Sequence, residues 1–162
     1  MRIGVPKEIK VHEYRVGLTP SSVRELVAHG HQVIVERDAG RGIGAADAVY
    51  ERAGASIVAG AAEVFARADM IVKVKEPQPA ERKMLRAGQV LFTYLHLAPD
   101  PEQCADLIDS GAVCNAKRPS GAESSFKTSA PPAGVAKDFD KLKTLARDCE
   151  PSGVSPDEEK SA

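Results

Sequence analysis

Hydrophobic and polar positions follow two different periods along residues 1–116. Short apolar runs such as "RIGV" (2–5) and "QVIVE" (32–36) have the length and the β-branched residues typical of buried strands. Between them, "TPSSVRELVAHGH" (19–31) places apolar residues at spacings of three and four, with Thr19 as a suitable N-cap and a proline next to it. This pattern predicts a helix between two strands.

The same alternation continues through the rest of this region. It predicts further strands at 56–58, 70–75, 89–95 and 112–116, and further helices at 45–54, near 60–67, at 79–88 and at 100–111. Strands separated by helices indicate parallel pairing, since a parallel crossover needs about a dozen residues. The expected fold class is therefore α/β, a mostly parallel Rossmann-like sheet flanked by helices, with an irregular C-terminal tail. In such sheets, ligands bind beyond the carboxyl ends of the strands.

The pattern changes after Ala116. The stretch "KRPSGAESSFKTSAPPAG" (117–134) is rich in Ser, Pro, Ala and Gly, a composition typical of linkers or disorder. Residues 135–150 have apolar positions three apart, which predicts one short helix before a polar end. We therefore expect one domain over 1–116 and a divergent linker or tail over 117–162.

Composition excludes several classes of function. The formal net charge is −1 and aromatic residues make up 4% of the chain, which argues against nucleic-acid or membrane-surface binding driven by charge or stacking. The three cysteines are scattered, without a CxxC pair, so neither a metal site nor a disulfide framework is predicted. No signal peptide or membrane-spanning run is evident, and the expected location is the cytoplasm.

One short motif resembles a nucleotide-binding loop. Gly40, Gly42 and Ala45 match the pattern GxGxxG/A and follow a predicted strand. That fingerprint also needs a long helix after the glycines and an acid at the end of the next strand. Here the helix is short, and the strand at 56–58 runs into Ala59 without an acid. We interpret the motif as a Gly-rich turn and predict no cofactor-binding residue.

Three residues are candidates for chemistry at the strand ends. Arg15 lies in a polar loop and carries the planar fork that suits a carboxylate, although an exposed loop arginine is a common alternative. Lys75 ends the predicted strand 70–75, where it could bind a carboxylate or carbonyl oxygen. Strand alternation places it on the same face as Lys73, so one or both could simply be solvated. His96 follows the predicted strand at 89–95, and an imidazole suits general acid–base work, although a lone histidine is often structural.

Three blocks of sequence carry a family resemblance. "MRIGVPKEIKVHEYRVGLTP", "VKVKEPQPAE" and "GQVLFTYLHLAPD" together resemble the N-terminal substrate domain of the alanine dehydrogenases, over about residues 1–116. The first block is also similar, more loosely, to the N-terminal region of the α subunit of nicotinamide nucleotide transhydrogenase. The resemblance implies that Arg15 and Lys75 bind the substrate and that His96 is the catalytic acid–base.

The resemblance also implies a reaction and its partners. The reaction is the NAD-dependent oxidative deamination of L-alanine to pyruvate and ammonia, with L-alanine or pyruvate as the small-molecule partner. NAD is expected by resemblance alone, because the family's nucleotide-binding domain is not found in this sequence. We therefore expect a truncated or frame-shifted dehydrogenase that is inactive alone, with a genuine fusion or a specialised short protein as the alternatives. A homo-oligomer, or association with full-length subunits, is the expected assembly.

Other interpretations stay open at this point. The chain could be related to transhydrogenase, although "KVKEP" and "LHL" together with Arg15 suit the handling of a small acid, which transhydrogenase does not need. It could bind a small keto or amino acid without turnover, or it could be an interaction fragment. Pyruvate binding that depends on Arg15 would separate the binding interpretation from the last one.

Overall fold

The computed structural model of the protein describes residues 1–116 and 124–126. Within this part of the chain the strands are β1 (Arg2–Val5), β2 (Gln32–Glu36), β3 (Ser56–Val58), β4 (Met70–Val72), β5 (Val90–Thr93), β6 (Val113–Ala116) and β7 (Ser124–Phe126). The helices are α1 (Pro20–Ala28), α2 (Asp47–Arg52), α3 (Ala61–Arg67), α4 (Pro79–Arg82) and α5 (Pro101–Ser110).

The strands form a single sheet in the order β3-β2-β1-β4-β5-β6-β7. Every pairing from β3 to β6 is parallel, and β7 pairs antiparallel with β6. The predicted α/β fold with a mostly parallel sheet is confirmed. From β1 the chain adds β2 and β3 on one side and β4 to β7 on the other. The carboxyl ends of β1 and β4 therefore lie side by side near the middle of the sheet.

Strand β7 differs from the expectation of an irregular tail. Residues 124–126 pair with β6, with Cys114 opposite Phe126. Without this pairing, β6 would present a row of open backbone groups at the edge of the sheet, which is a reason for a short strand to add there. The helix predicted at 135–150 lies outside the described residues, and the domain boundary at Ala116 stays a prediction.

Two helices begin and end where their capping residues predict. At α1, the Thr19 hydroxyl accepts a hydrogen bond from the Ser22 backbone N–H at 3.4 Å. At α5, the Asp100 carboxylate accepts one from the Gln103 N–H at 2.9 Å. Gly111 follows α5 with φ of +64°, a left-handed conformation that glycine adopts without strain.

Other elements are shorter than the sequence pattern predicts. The strands expected at 70–75 and 89–95 end at Val72 and Thr93, and the helix expected at 79–88 ends at Arg82. The chain leaves α4 after one turn, and Leu85 then lies buried in the core. Residues 73–78 and 94–100 therefore extend past their strands as loops at the carboxyl edge of the sheet.

The core lies between the sheet and the helices on its faces. Its fully buried side chains include Ile3, Val5, Val64, Phe65, Ile71 and Leu91. Gly4 in β1 allows α3 to approach, since a Cβ there would lie 2.7 Å from the side chains of Val64 and Ala68. In the part of the chain that the structure describes, no helix is long and apolar enough to cross a membrane.

Candidate functional site

The three candidate residues lie at the same edge of the sheet. Arg15 is in the loop after β1, Lys75 is in the loop after β4, and His96 is in the loop after β5. Because β1, β4 and β5 are neighbouring parallel strands, their carboxyl ends lie together. Lys75 and His96 are each three residues past the end of their strand rather than at the last strand position.

Arg15 holds a carboxylate of its own chain. Its Nε donates to Glu13 Oε1 at 2.8 Å and its Nη2 donates to Glu13 Oε2 at 2.5 Å, which is the two-pronged pairing typical of guanidinium and carboxylate. The backbone N–H of Arg15 also donates to Glu13 Oε1, at 2.9 Å. The Arg15 side chain is 64% exposed, whereas that of Glu13 is 5% exposed. The pair thus presents its cation to solvent.

The charges around Glu13 keep it ionised. The pKa of Glu13 is lowered to about 2, first by the hydrogen bonds from the Arg15 side chain, against an opposing effect of burial. The positive charge of Lys75 lowers the pKa of Glu13 further. Lys75 and Arg15 therefore act on the same carboxylate, which places the two predicted substrate-binding cations within electrostatic range of one point.

A cleft of about 340 Å³ opens beside this pair. It is lined by Lys7, Glu8, Glu13, Tyr14, Arg15, Asp38, Ala39, Arg41 and Gly42. The volume suits a small molecule, and the lining mixes cations and carboxylates. Of the three candidate residues, all of which the structure describes, Arg15 lines this cleft, and Lys75 and His96 do not.

A buried group of three charges lies behind the site, and the sequence analysis missed it. Lys73 Nζ is 2.7 Å from Glu81 Oε1 and 3.2 Å from Glu8 Oε2. The side chains of Lys73, Glu8 and Glu81, which we call the buried triad, are 1%, 2% and 1% exposed. The interpretation of Lys73 as a solvated lysine was therefore wrong. A cation inside the apolar run predicted as a strand at 70–75 was the available signal, because an ion at such a position needs a buried partner.

The buried triad also fixes the backbone that carries Lys75. Glu8 Oε1 accepts a hydrogen bond from the Val74 N–H at 2.7 Å, and Glu81 Oε2 accepts one from the Gln78 N–H at 2.8 Å. Burial raises the pKa of Glu8, with the charge of Lys73 acting in the opposite direction. The loop after β4 is thus held on both sides of Lys75.

His96 is exposed, between two residues that pack on the core. Leu95 and Leu97 are partly buried against the hydrophobic cluster, which turns His96 outward. Burial acts to raise the pKa of Glu76, but its ion pair with Lys10 outweighs this, and the charge of His96 adds to the lowering. His96 therefore lies within electrostatic range of Glu76, the residue next to Lys75.

The glycines of the GxGxxA motif pack against protein. Gly42 lies in a 3₁₀ turn, Arg41–Ile43, and Gly40 immediately precedes that turn. A Cβ on Gly42 would overlap the carbonyl oxygen of Tyr14. A Cβ on Gly40 would lie 2.5 Å from the ring of Tyr50. These two glycines therefore permit close packing of the turn against Tyr14 and Tyr50, which is a structural reason for glycine at both positions. No group of side chains suited to a metal ion occurs among the described residues.

Comparison with known proteins gives consistent matches. The family described as "Alanine dehydrogenase/PNT, N-terminal domain" matches residues 4–117. An alanine dehydrogenase from Halomonas elongata is 57% identical over 114 residues, covering 70% of this chain and 31% of that protein. A solved L-alanine dehydrogenase superposes with a TM-score of 0.71 and 49% identity, over 75% of this chain and 35% of the other.

A second solved structure comes from a related group. The transhydrogenase from Sinorhizobium meliloti superposes with a TM-score of 0.68 and 31% identity, over 72% of this chain and 34% of that one. The chain thus spans about a third of the length of the proteins that it matches.

Proposed function

The chain belongs to the alanine dehydrogenase/PNT N-terminal domain family, and from this premise we propose that it is the substrate domain of an NAD-dependent alanine dehydrogenase. The observation that carries the proposal is the Arg15 guanidinium, which is exposed beside a cleft. It already binds the Glu13 carboxylate through two hydrogen bonds, from Nε and Nη2. L-alanine and pyruvate both carry a carboxylate of the kind that this fork recognises.

Each of the three edge residues then has a distinct role. Arg15 binds the carboxylate of the substrate, and Lys75 places a positive charge near the carbonyl oxygen of pyruvate. His96 moves the proton as water adds to, or leaves, the iminium carbon between L-alanine and pyruvate. The exposure of His96 suits a group that must exchange protons with solvent and substrate.

Hydride transfer is outside what the described residues do. In this reaction NAD accepts the hydride and must lie against the substrate carbon. Gly40 and Gly42, whose spacing resembles a nucleotide-binding loop, have a structural reason in their packing on Tyr14 and Tyr50. We therefore assign to this stretch of chain the binding of the small acid, in the cytoplasm, without turnover by itself.

A transhydrogenase-related domain is the second candidate. The Sinorhizobium meliloti transhydrogenase supports it, with 31% identity against 49% for the solved L-alanine dehydrogenase. The two candidates differ in their use of Arg15. A transhydrogenase has no small acid to hold, so only the dehydrogenase predicts a carboxylate ligand at this residue.

Titration of the full chain with pyruvate, followed by calorimetry, tests the proposal. We expect saturable binding that weakens by about tenfold or more in Arg15→Ala, since a hydrogen-bonded charge pair is lost. Arg67→Ala is the matched control, because Arg67 also pairs with a glutamate, Glu63, and is 45% exposed. Equal affinity in the wild type and Arg15→Ala, or no binding at all, would refute a carboxylate site at Arg15.

A further inference from the structure

Glu13 occupies the edge of Arg15 that a substrate carboxylate would use. Its two oxygens accept from Nε and Nη2, at 2.8 and 2.5 Å. A bound acid could use the Nε and Nη2 edge only after displacing Glu13. Otherwise it would bind at Nη1, next to the negative charge of Glu13. In either case, Glu13 opposes the ligand, because like charges at short range repel.

The position of Glu13 is fixed more firmly than that of a surface side chain. Besides the guanidinium, the backbone N–H of Arg15 donates to Glu13 Oε1 at 2.9 Å. The Glu13 side chain is almost fully covered, while its partner is exposed. The carboxylate is thus held beside Arg15 by a backbone hydrogen bond as well as by the guanidinium.

The second cation of the site acts on the same carboxylate. Lys75 influences Glu13 through its charge, so Glu13 partly neutralises both Arg15 and Lys75. The chain therefore supplies its own carboxylate at the point where the proposed function needs a substrate's carboxylate.

From this arrangement, and resting on the proposed function, we infer that Glu13 is an internal competitor that sets the affinity of the site for small carboxylic acids. It holds Arg15 in the absence of substrate and weakens binding in its presence. Glu13 is in this sense an affinity-determining residue and takes no part in the chemical step.

The test compares pyruvate binding by the wild type and Glu13→Gln. The glutamine has the same length and keeps an oxygen that can accept from Arg15, but it lacks the charge. We expect Glu13→Gln to bind pyruvate about two- to five-fold more tightly, a change in keeping with the modest strength of exposed ion pairs. The uncharged analogue pyruvamide should show no such gain, since it has no carboxylate.

Glu63→Gln is the control for the loss of one negative charge. Glu63 pairs with Arg67 at 2.6 Å on α3, which precedes the amino end of β4, and its removal should leave pyruvate binding unchanged. The gain in Glu13→Gln should disappear when Arg15→Ala is added, which shows that the gain acts through the guanidinium.

The outcomes separate this inference from the proposed function. If the wild type binds pyruvate through Arg15 but Glu13→Gln binds with equal or lower affinity, Glu13 positions Arg15 and the competitor role is wrong while the function stands. If neither protein shows binding that depends on Arg15, both are wrong. An equal gain for pyruvamide would also overturn the inference, because the effect would not concern the carboxylate.

Discussion

Two sets of paired charges lie close together at one edge of the sheet and differ in exposure. In the buried triad, Lys73 joins Glu8 and Glu81, and every side chain is at most 2% exposed. In the outer pair, Glu13 is covered but Arg15 is 64% exposed. Both sets use residues of the loop after β1, so within eight residues the loop carries a structural charge, Glu8, and the charge proposed to bind the substrate, Arg15.

The difference in exposure gives the two sets of charges different roles, although both consist of basic side chains paired with glutamates. Charges removed from water must be paired, because an unpaired buried ion is costly, so the buried triad is bound to the backbone of the loop after β4 and fixes it. Exposed pairs contribute little to stability, and a ligand can replace one partner at low cost. The buried set therefore holds Lys75 in place, and the outer set is available to bind.

The largest difference expected between the buried triad and the outer pair is in the free energy of unfolding. Lys73→Met leaves Glu8 and Glu81 buried without their cation, and we expect a loss of about 3–5 kcal/mol. Urea unfolding followed by circular dichroism measures it. The exposed Lys83 supplies the control, since Lys83→Met should change stability by no more than about 0.5 kcal/mol.

Arg15→Ala gives the contrast in the same assay. Arg15→Ala removes an exposed cation, and the backbone N–H of residue 15 can still donate to Glu13, so the loss should be no more than about 1 kcal/mol. A stability loss in Arg15→Ala equal to that in Lys73→Met would contradict the division into a structural set and a binding set.

A smaller effect concerns the pH dependence of stability. The pKa of Glu13 is lowered from 4.5 to about 2, so its contribution is present above pH 4.5 and is lost as the pH falls toward 2. The pKa of Glu8 is raised by burial, so its contribution is present below 4.5 and is lost as the pH rises through the higher folded value. The two carboxyls thus affect stability in opposite directions.

Thermal unfolding of two variants at several pH values checks these directions. The advantage of the wild type over Glu13→Gln should shrink as the pH falls below 4.5. As the pH rises above 4.5, the stability of the wild type should fall relative to that of Glu8→Gln. Slopes of the same sign for both variants would contradict the opposite pKa shifts of the two carboxyls.

The sequence predicted most of the fold because its signals there are local. The caps at Thr19 and Asp100 define α1 and α5 within single turns. The ends of β4 and β5 were placed too late, since the hydrophobic alternation continues into loops that still bond across. Lys73 N donates to Phe92 O at 3.0 Å, and Tyr94 N donates to Val74 O at 3.3 Å, beyond the last strand residues.

The candidate residues could be placed from the sequence, whereas their contacts could not. Parallel pairing is enough to bring the loops of Arg15, Lys75 and His96 to one edge, and the order of the strands, which makes β1, β4 and β5 neighbours, comes from the structure. The buried triad joins Glu8 to Lys73 across the β1–β4 neighbours, a pairing that no local pattern contains. The pairing of Arg15 with Glu13, two residues away, was local, yet its orientation depends on the fold of the loop.

The Arg15 Nε–H resonance in a nitrogen-15 NMR titration with pyruvate tests the central claim most directly. That proton is donated to Glu13 at an Nε–O distance of 2.8 Å in the structure, so a change of partner would move its signal. The account predicts a saturable shift at Arg15 and a constant signal at Arg67, whose guanidinium pairs with Glu63. A constant Arg15 signal throughout the titration, whether or not other signals show that pyruvate binds, would contradict the assignment of Arg15 as the carboxylate-binding residue.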